Sequence, residues 1–305
     1  MNQIKNICIY GVGGVGGYFG AKIIDGDKNK DLNVAFIARG KQLETIKKNG
    51  LILKTEDRII KVKSNLATEN VHDIEKIDLM LICVKSYDLD GVINCIKDKI
   101  KDDTILIPLL NGVDIYERIR KNLERGFVLP ACVYVGTHIE DYGIVLQKGG
   151  DGRIIFGKDP RRINYYPEEV MEFFEKLKIN FSYQENPYKE IWTKYMFIAA
   201  YGLVTAKTGK TLGEVLGNND LLSDVESIIR EIKLIADKKR VSLDRDVIKN
   251  SIEKARSFPY ETKTSFQRDV ENPKKKNERD LFGGTIIRLG KEYCIDTKYT
   301  EKYYI

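Results

Sequence analysis

Glycines at positions 11, 13 and 16 are the residues of this chain whose spacing points most directly to chemistry. They sit in Gly11-Val12-Gly13-Gly14-Val15-Gly16, between the short apolar run Ile7-Cys8-Ile9-Tyr10 and a segment in which Val15, Tyr18, Phe19, Ile23 and Ile24 recur at helical spacing. In a strand–turn–helix, the first glycine permits the sharp turn and the second lets backbone N–H groups approach a pyrophosphate. The third lets the helix pack closely on the strand, and the helix N-terminus offers free N–H groups and partial positive charge to the anion. All six residues are therefore expected to bind a dinucleotide.

Which dinucleotide is set at the end of the next strand, read over Asn33–Ala38, where an NAD site usually offers Asp or Glu to the ribose 2′-hydroxyl. This chain has Arg39-Gly40-Lys41 there. A guanidinium can pair with a 2′-phosphate in two-pronged fashion, so NADPH/NADP+ is the expected cofactor. Two further apolar runs, Ile77–Val84 and Thr104–Leu110, read as buried parallel strands and end in Lys85-Ser86 and Asn111-Gly112. Ligands of open α/β sheets lie beyond the carboxyl ends of the strands. Lys85 and Asn111 are accordingly expected on the same rim as Arg39 and the glycines. A last candidate is Lys194, an ammonium inside the otherwise apolar and aromatic Ile191–Gly202. Desolvation lowers a lysine's pKa, which suits it to donate a proton, although a lysine snorkelling from a solvent edge has the same local sequence.

These residues need two kinds of scaffold. Up to Gln184 the chain alternates strand and helix, and Phe127–Gly157 has a β pattern that reads as an extension of the sheet with antiparallel strands. Gly50–Lys63 reads as a hairpin, and Pro167–Leu177 as an amphipathic helix with two glutamates in its first turn. Beyond Pro187 the period is helical over Tyr188–Thr208, Asn219–Lys239, Leu243–Ser257 and Asp280–Glu292, with a charged loop at Glu261–Glu278. The expectation is an α/β chain: a Rossmann-type domain over residues 1–186, then a mostly helical domain over 187–305, with a substrate cleft between them.

Composition excludes several alternatives. A net charge of +6 from 51 basic and 45 acidic residues is mild, and the short cluster Lys274-Lys275-Lys276 with Arg279 is a poor nucleic-acid signal. Five scattered cysteines without a C-x-x-C pair fit reduced thiols and a cytoplasmic location. With two histidines in the chain, a histidine-based metal site is not expected. Neither a signal peptide nor an apolar run of about 18 residues is found. The anticipated partner is a small molecule, with neither nucleic acid nor membrane, and a homodimer is open.

Taken together and in order, several segments make the chain resemble the ketopantoate reductase (2-dehydropantoate 2-reductase) family over essentially its whole length. They are the glycine loop, Ala38-Arg39-Gly40, Val84-Lys85-Ser86, Leu110-Asn111-Gly112-Val113, Trp192-x-Lys194 with Thr205-Ala206, and Ser265-x-x-x-Asp269 followed by Asn277-Glu278-x-Asp280. The resemblance implies NADPH-dependent reduction of a 2-keto acid, ketopantoate to pantoate in pantothenate biosynthesis. By position it makes Lys194 the proton donor, Glu278 the residue bonding the product hydroxyl, and Ser265 a contact to the substrate carboxylate. Lys85 and Asn111 match polar residues of the cofactor and substrate rim. Four and eight residues after the lysine the family typically has asparagines that reach the substrate, where this chain has Ile198 and Gly202. At helical spacing these share the Lys194 face and replace two amides with one apolar surface and one empty space. Two other readings stay open: a paralogue reducing a more apolar 2-keto acid, and an NADPH-binding sensor without turnover. An NAD-linked dehydrogenase on the same scaffold is a further alternative, against which Arg39 speaks.

Overall fold

Four runs of apolar, largely β-branched residues lie side by side because nothing in them tolerates water: Leu79, Met80, Leu81 and Ile82 are all fully buried, as are Cys8 and Ile9. The computed structural model describes residues 3–272 and 276–304. The chain forms two compact units, Met1–Leu110 with Ile115–Pro187, and Asn111–Asp114 with Tyr188–Ile305.

In chain order the first unit contains β1 (Asn6–Tyr10), α1 (Gly14–Gly26), β2 (Asn33–Ile37), α2 (Gly40–Asn49), β3 (Leu51–Lys54), β4 (Ile59–Val62), β5 (Leu66–Thr68), β6 (Leu79–Ile82), α3 (Leu89–Ile96), β7 (Ile105–Pro108) and α4 (Ile115–Asn122). There follow β8 (Phe127–Val128), β9 (Ala131–Tyr134), β10 (Thr137–Asp141), β11 (Ile144–Gln147), β12 (Arg153–Phe156), α5 (Glu168–Lys176) and β13 (Phe181–Tyr183). The main sheet has six parallel strands in the order β5-β2-β1-β6-β7-β8. Its register sets Ile9 beside Phe36 on one side and Leu81 on the other. This is the doubly wound arrangement expected of a Rossmann-type domain.

The segment 127–157 departs from the expected antiparallel extension. Only β8 joins the main sheet, and it does so in parallel. The other strands build two small sheets, β10-β11-β3-β4 and β13-β12-β9. Period-two alternation identifies a strand but not its partner. Here the partner is chosen by α1, whose outer face needs cover: at Gly17 a Cβ would lie 2.6 Å from Val145 of β11. The expected hairpin at 50–63 is present as antiparallel β3 and β4.

The second unit contains α6 (Tyr188–Thr208), α7 (Leu212–Leu216), α8 (Asn219–Lys238), α9 (Val247–Arg256), α10 (Ser265–Val270), a π-helical turn at Asp280–Gly284, α11 (Thr285–Tyr293) and α12 (Lys298–Tyr303). Three short helices were absent from the sequence reading. Helix α7 starts on a capping box, with Glu214 N–H donating to Thr211 Oγ1 (3.3 Å) and Thr211 N–H to Glu214 Oε2 (2.7 Å). Helix α10 interrupts the expected charged loop and is capped by Thr264, whose Oγ1 accepts from Gln267 N–H at 3.1 Å. Helix α12 is pinned to α8 by buried carboxylates. Glu231 accepts from Tyr299 N–H (2.8 Å) and Thr300 N–H (3.0 Å), and Asp224 accepts from the Tyr303 hydroxyl (2.6 Å). Lys274 and Lys275 of the basic cluster lie outside the described residues.

One buried ion pair ties the first unit's periphery together. The Asp159 carboxylate accepts from Arg120, from Val128 N–H (2.9 Å), from the Tyr116 hydroxyl (2.6 Å) and from Arg161 N–H (2.9 Å). Arg120 also donates to the carbonyls of Leu123, Glu124, Arg125 and Gly126, closing the end of α4. Removing one partner of such a pair strands the other charge without water, a loss of about 3–5 kcal/mol. Asp159→Ala is therefore expected to lower the unfolding free energy by about that amount in urea titration. Asp102→Ala, which removes an exposed carboxylate 4.0 Å from Arg125, should leave the midpoint unchanged.

Candidate functional site

The glycine loop is shaped by two contacts that no other residue allows. Gly11 has φ +95°, and a Cβ there would lie 2.9 Å from Val84 and 3.0 Å from the Cys83 backbone. At Gly16 a Cβ would fall 2.0 Å from the Gly11 carbonyl oxygen, so α1 docks on the end of β1 at backbone distance. Gly13 is the opposite case: a Cβ there meets nothing within 4 Å, which leaves open approach in front of the helix. The first turn of α1 has no acidic residue and no capping side chain. Uncapped amides, helix dipole and open space fit a pyrophosphate. Val12 is held from behind by Gln42, a buried residue the sequence did not single out. Its amide donates to the Val12 carbonyl (2.9 Å) and accepts from Gly143 N–H (2.8 Å).

Because the strands are parallel, the exits of β1, β2 and β6 lie along one edge and carry the glycine loop, Arg39 and Lys85. Arg39 precedes α2, and its side chain is 78% exposed. It is joined to Asp88, with Nη2 2.6 Å from Oδ2. Lys85 is exposed at the start of the 3₁₀ turn Ser86–Asp88. The Tyr10 hydroxyl, half-buried at the end of β1, is pushed up to about 12 by burial, with Cys95 and Cys8 adding to the rise and Arg39 opposing it. Asp88 escaped the sequence reading because an Asp before an apolar helix reads as an ordinary cap.

In the helical unit the structure brings Lys194 and Asn111 together. Asn111, leaving the β7 segment, belongs to the second unit, and Lys194 Nζ donates to its Oδ1 at 2.7 Å. The ammonium is half-buried between the buried neighbours Trp192 and Tyr195 of α6. Tyr195 fixes this part of the helix from the other side, its hydroxyl donating to the Leu281 carbonyl (2.6 Å) in the π-helical turn. Burial drives that phenol well above its ordinary range. Ile198 is half-buried one turn on. Gly202 is buried, and the space beside it is filled rather than empty: a Cβ would meet Phe266 at 3.6 Å. Phe266, which sequence reasoning missed, follows Ser265, the exposed first residue of α10. Glu278 is buried just before the π-helical turn.

Residues 7–161 match the model of the ketopantoate reductase PanE/ApbA family, and residues 186–304 match its C-terminal counterpart. Similar proteins include an uncharacterized oxidoreductase, YkpB, of Bacillus subtilis, 27% identical over 97% of this chain and 95% of its own length. A 2-dehydropantoate 2-reductase of Archaeoglobus fulgidus is 26% identical over 96% and 94%. Among solved structures, a PanE/ApbA family ketopantoate reductase from Ralstonia eutropha superposes with a TM-score of 0.88 at 24% identity, covering 98% of this chain and 96% of that one. D-mandelate dehydrogenase with NADH and anilino(oxo)acetate gives 0.85 at 20% identity over 98% and 96%. On both halves of its length the chain belongs to the ketopantoate reductase PanE/ApbA family of oxidoreductases.

Proposed function

We propose that this protein reduces a 2-keto acid to the 2-hydroxy acid at the expense of NADPH, ketopantoate to pantoate being the substrate pair favoured by its relatives' names. The observation that carries the reading is the half-buried Lys194 ammonium held by Asn111 at 2.7 Å. The bound dihydronicotinamide supplies the hydride. Lys194 holds a proton at Nζ and gives it to the keto oxygen as negative charge develops there, and Asn111 fixes the direction of that donor. The open amides of α1 bind the pyrophosphate, with Arg39 and Lys85 supplying charge for the phosphates. Ser265 is assigned to the substrate carboxylate and Glu278 to the product hydroxyl. The NADPH assignment rests on Arg39, where an NAD site would offer a carboxylate.

A second substrate reading has its own support. Ile198 and the Phe266 ring against Gly202 make the Lys194 face of α6 apolar where amides would hold a hydroxyl. Such a surface suits a 2-keto acid with an apolar side chain, because a site discriminates strongly only through the polar groups it keeps.

One measurement tests the reaction and a second separates the two substrate readings. Lys194→Ala is expected to lower kcat by about 10²- to 10⁴-fold while the NADPH dissociation constant stays within about twofold. Near-normal turnover would remove the lysine from its role. In a panel followed by loss of NADPH absorbance, ketopantoate should give the highest kcat/KM. A higher value for 2-ketoisovalerate or a bulkier aromatic 2-keto acid establishes the apolar reading.

A further inference from the structure

Asp88 directly precedes α3, the place where an aspartate normally caps a helix, yet its side chain makes no bond to the first turn. It reaches instead to Arg39, 2.6 Å away. The two residues stand at the exits of β6 and β2, the strands that flank β1, so their pair spans the end of β1 where the glycine loop begins. Tyr10, the last residue of β1, feels both charges, Arg39 opposing and Asp88 reinforcing the rise in its pKa. Asp88 is the fixed member, 26% exposed against 78% for Arg39. An ion pair this exposed adds little to folding, so stability does not account for it.

We propose that Asp88 is a cofactor-selectivity residue: it holds Arg39 across the end of β1 and, by its own charge, narrows the preference for NADPH so that the site also admits NADH. This rests on the NADPH reading above. The guanidinium has five donors in a fork and can keep Asp88 while pairing with a 2′-phosphate. The carboxylate acts in opposite senses on the two cofactors. It repels the phosphate, whose negative charge it meets beside Arg39, and it accepts from the ribose 2′-hydroxyl, the role an acidic residue plays in NAD sites. The full charge of Arg39 and the acceptor of an NAD site are thus both present, on the exits of the two strands that flank β1 instead of on one.

The test is equilibrium titration of the full-length protein with NADPH and with NADH, followed by calorimetry, for the wild type, Asp88→Asn, Arg39→Ala and the double variant. Asp88→Asn should tighten NADPH about fivefold, the factor for removing one like charge about 4 Å away in water. It should also weaken NADH, so that the ratio of the two dissociation constants rises about tenfold or more. The gain for NADPH should shrink as salt is raised and persist in the Arg39→Ala background, because the repulsion is that of the Asp88 charge itself. An unchanged ratio in Asp88→Asn overturns the proposal, and so does a loss of NADPH affinity like that of Arg39→Ala, which would make Asp88 a support for the arginine only. A wild type that binds neither cofactor overturns the NADPH reading and this inference with it. Thermal melting of Asp88→Asn, with Asp88→Ser as a second variant, confirms that the ratio is read on folded protein.

Discussion

The approach of α1 to β1 sets the geometry of the whole first unit. With 2.0 Å between the Gly11 carbonyl oxygen and the place a Gly16 Cβ would take, the helix sits on the strand end at a distance only glycine permits. Several features follow from that contact. The first-turn amides of α1 emerge at the sheet edge without a side chain to cap them. The opposite side of the helix carries Gly17 and recruits β11, which draws the four-stranded sheet over α1 and away from the main sheet. Gln42 then locks the loop by bonding Val12 and Gly143, so a residue of α2 joins the glycine turn to the loop between β10 and β11. The uncovered N-terminus of α1 is thus a by-product of helix–strand packing.

Helix α6 plays the corresponding part in the second unit. Its 21 residues present different chemistry at successive turns: Lys194 to Asn111, Tyr195 to the carbonyls of Leu281 and Phe282, Gly202 to Phe266, and Thr205 to Thr264. The small residue at 202 is what lets α10 lie close, and the Thr205–Thr264 contact, 2.9 Å between hydroxyls, fixes where α10 begins. Ser265 is thereby set beside Phe266 by packing alone, one residue beyond the cap. A side chain longer than alanine at position 202 would press on Phe266 and so on the seat of Ser265.

The parts of this molecule legible in the sequence are those governed by local periodicity and by chemistry within a few residues. Four of the six parallel strands, β1, β2, β6 and β7, announced themselves as apolar runs, α6 was delimited to the residue, and Gly11 and Gly16 have the contacts their spacing implied. What stayed hidden depends on choices made across the chain. Alternation in 131–156 could not say that β11 would pair with β3, because the cover required by α1 decides that. The space at Gly202 read as empty because its occupant, Phe266, lies 64 residues away in sequence. Asp88 carries no signal of its own in the sequence, and only the three-dimensional neighbourhood of Arg39 shows what it bonds. The short helices α7 and α10 did carry local signals, Thr211 with Glu214 and Thr264 before Ser265, but these were too brief to stand out from charged loops.

The partner given to Lys194 bears on how it can work. At three lysines of this chain a bonded carboxylate holds the ammonium above the ordinary range: Asp78 does so for Lys76, Glu185 for Lys158 and Asp244 for Lys189. A proton donor raised in this way yields its proton less readily, since the anion left beside it favours the charged form. The Asn111 side-chain carbonyl accepts from the Lys194 ammonium at 2.7 Å, and this bond to a fixed dipole sets the direction in which Nζ points. On the rim of the first unit Arg39 is set against Asp88 in the open, where water screens the pair and the guanidinium stays charged at any working pH.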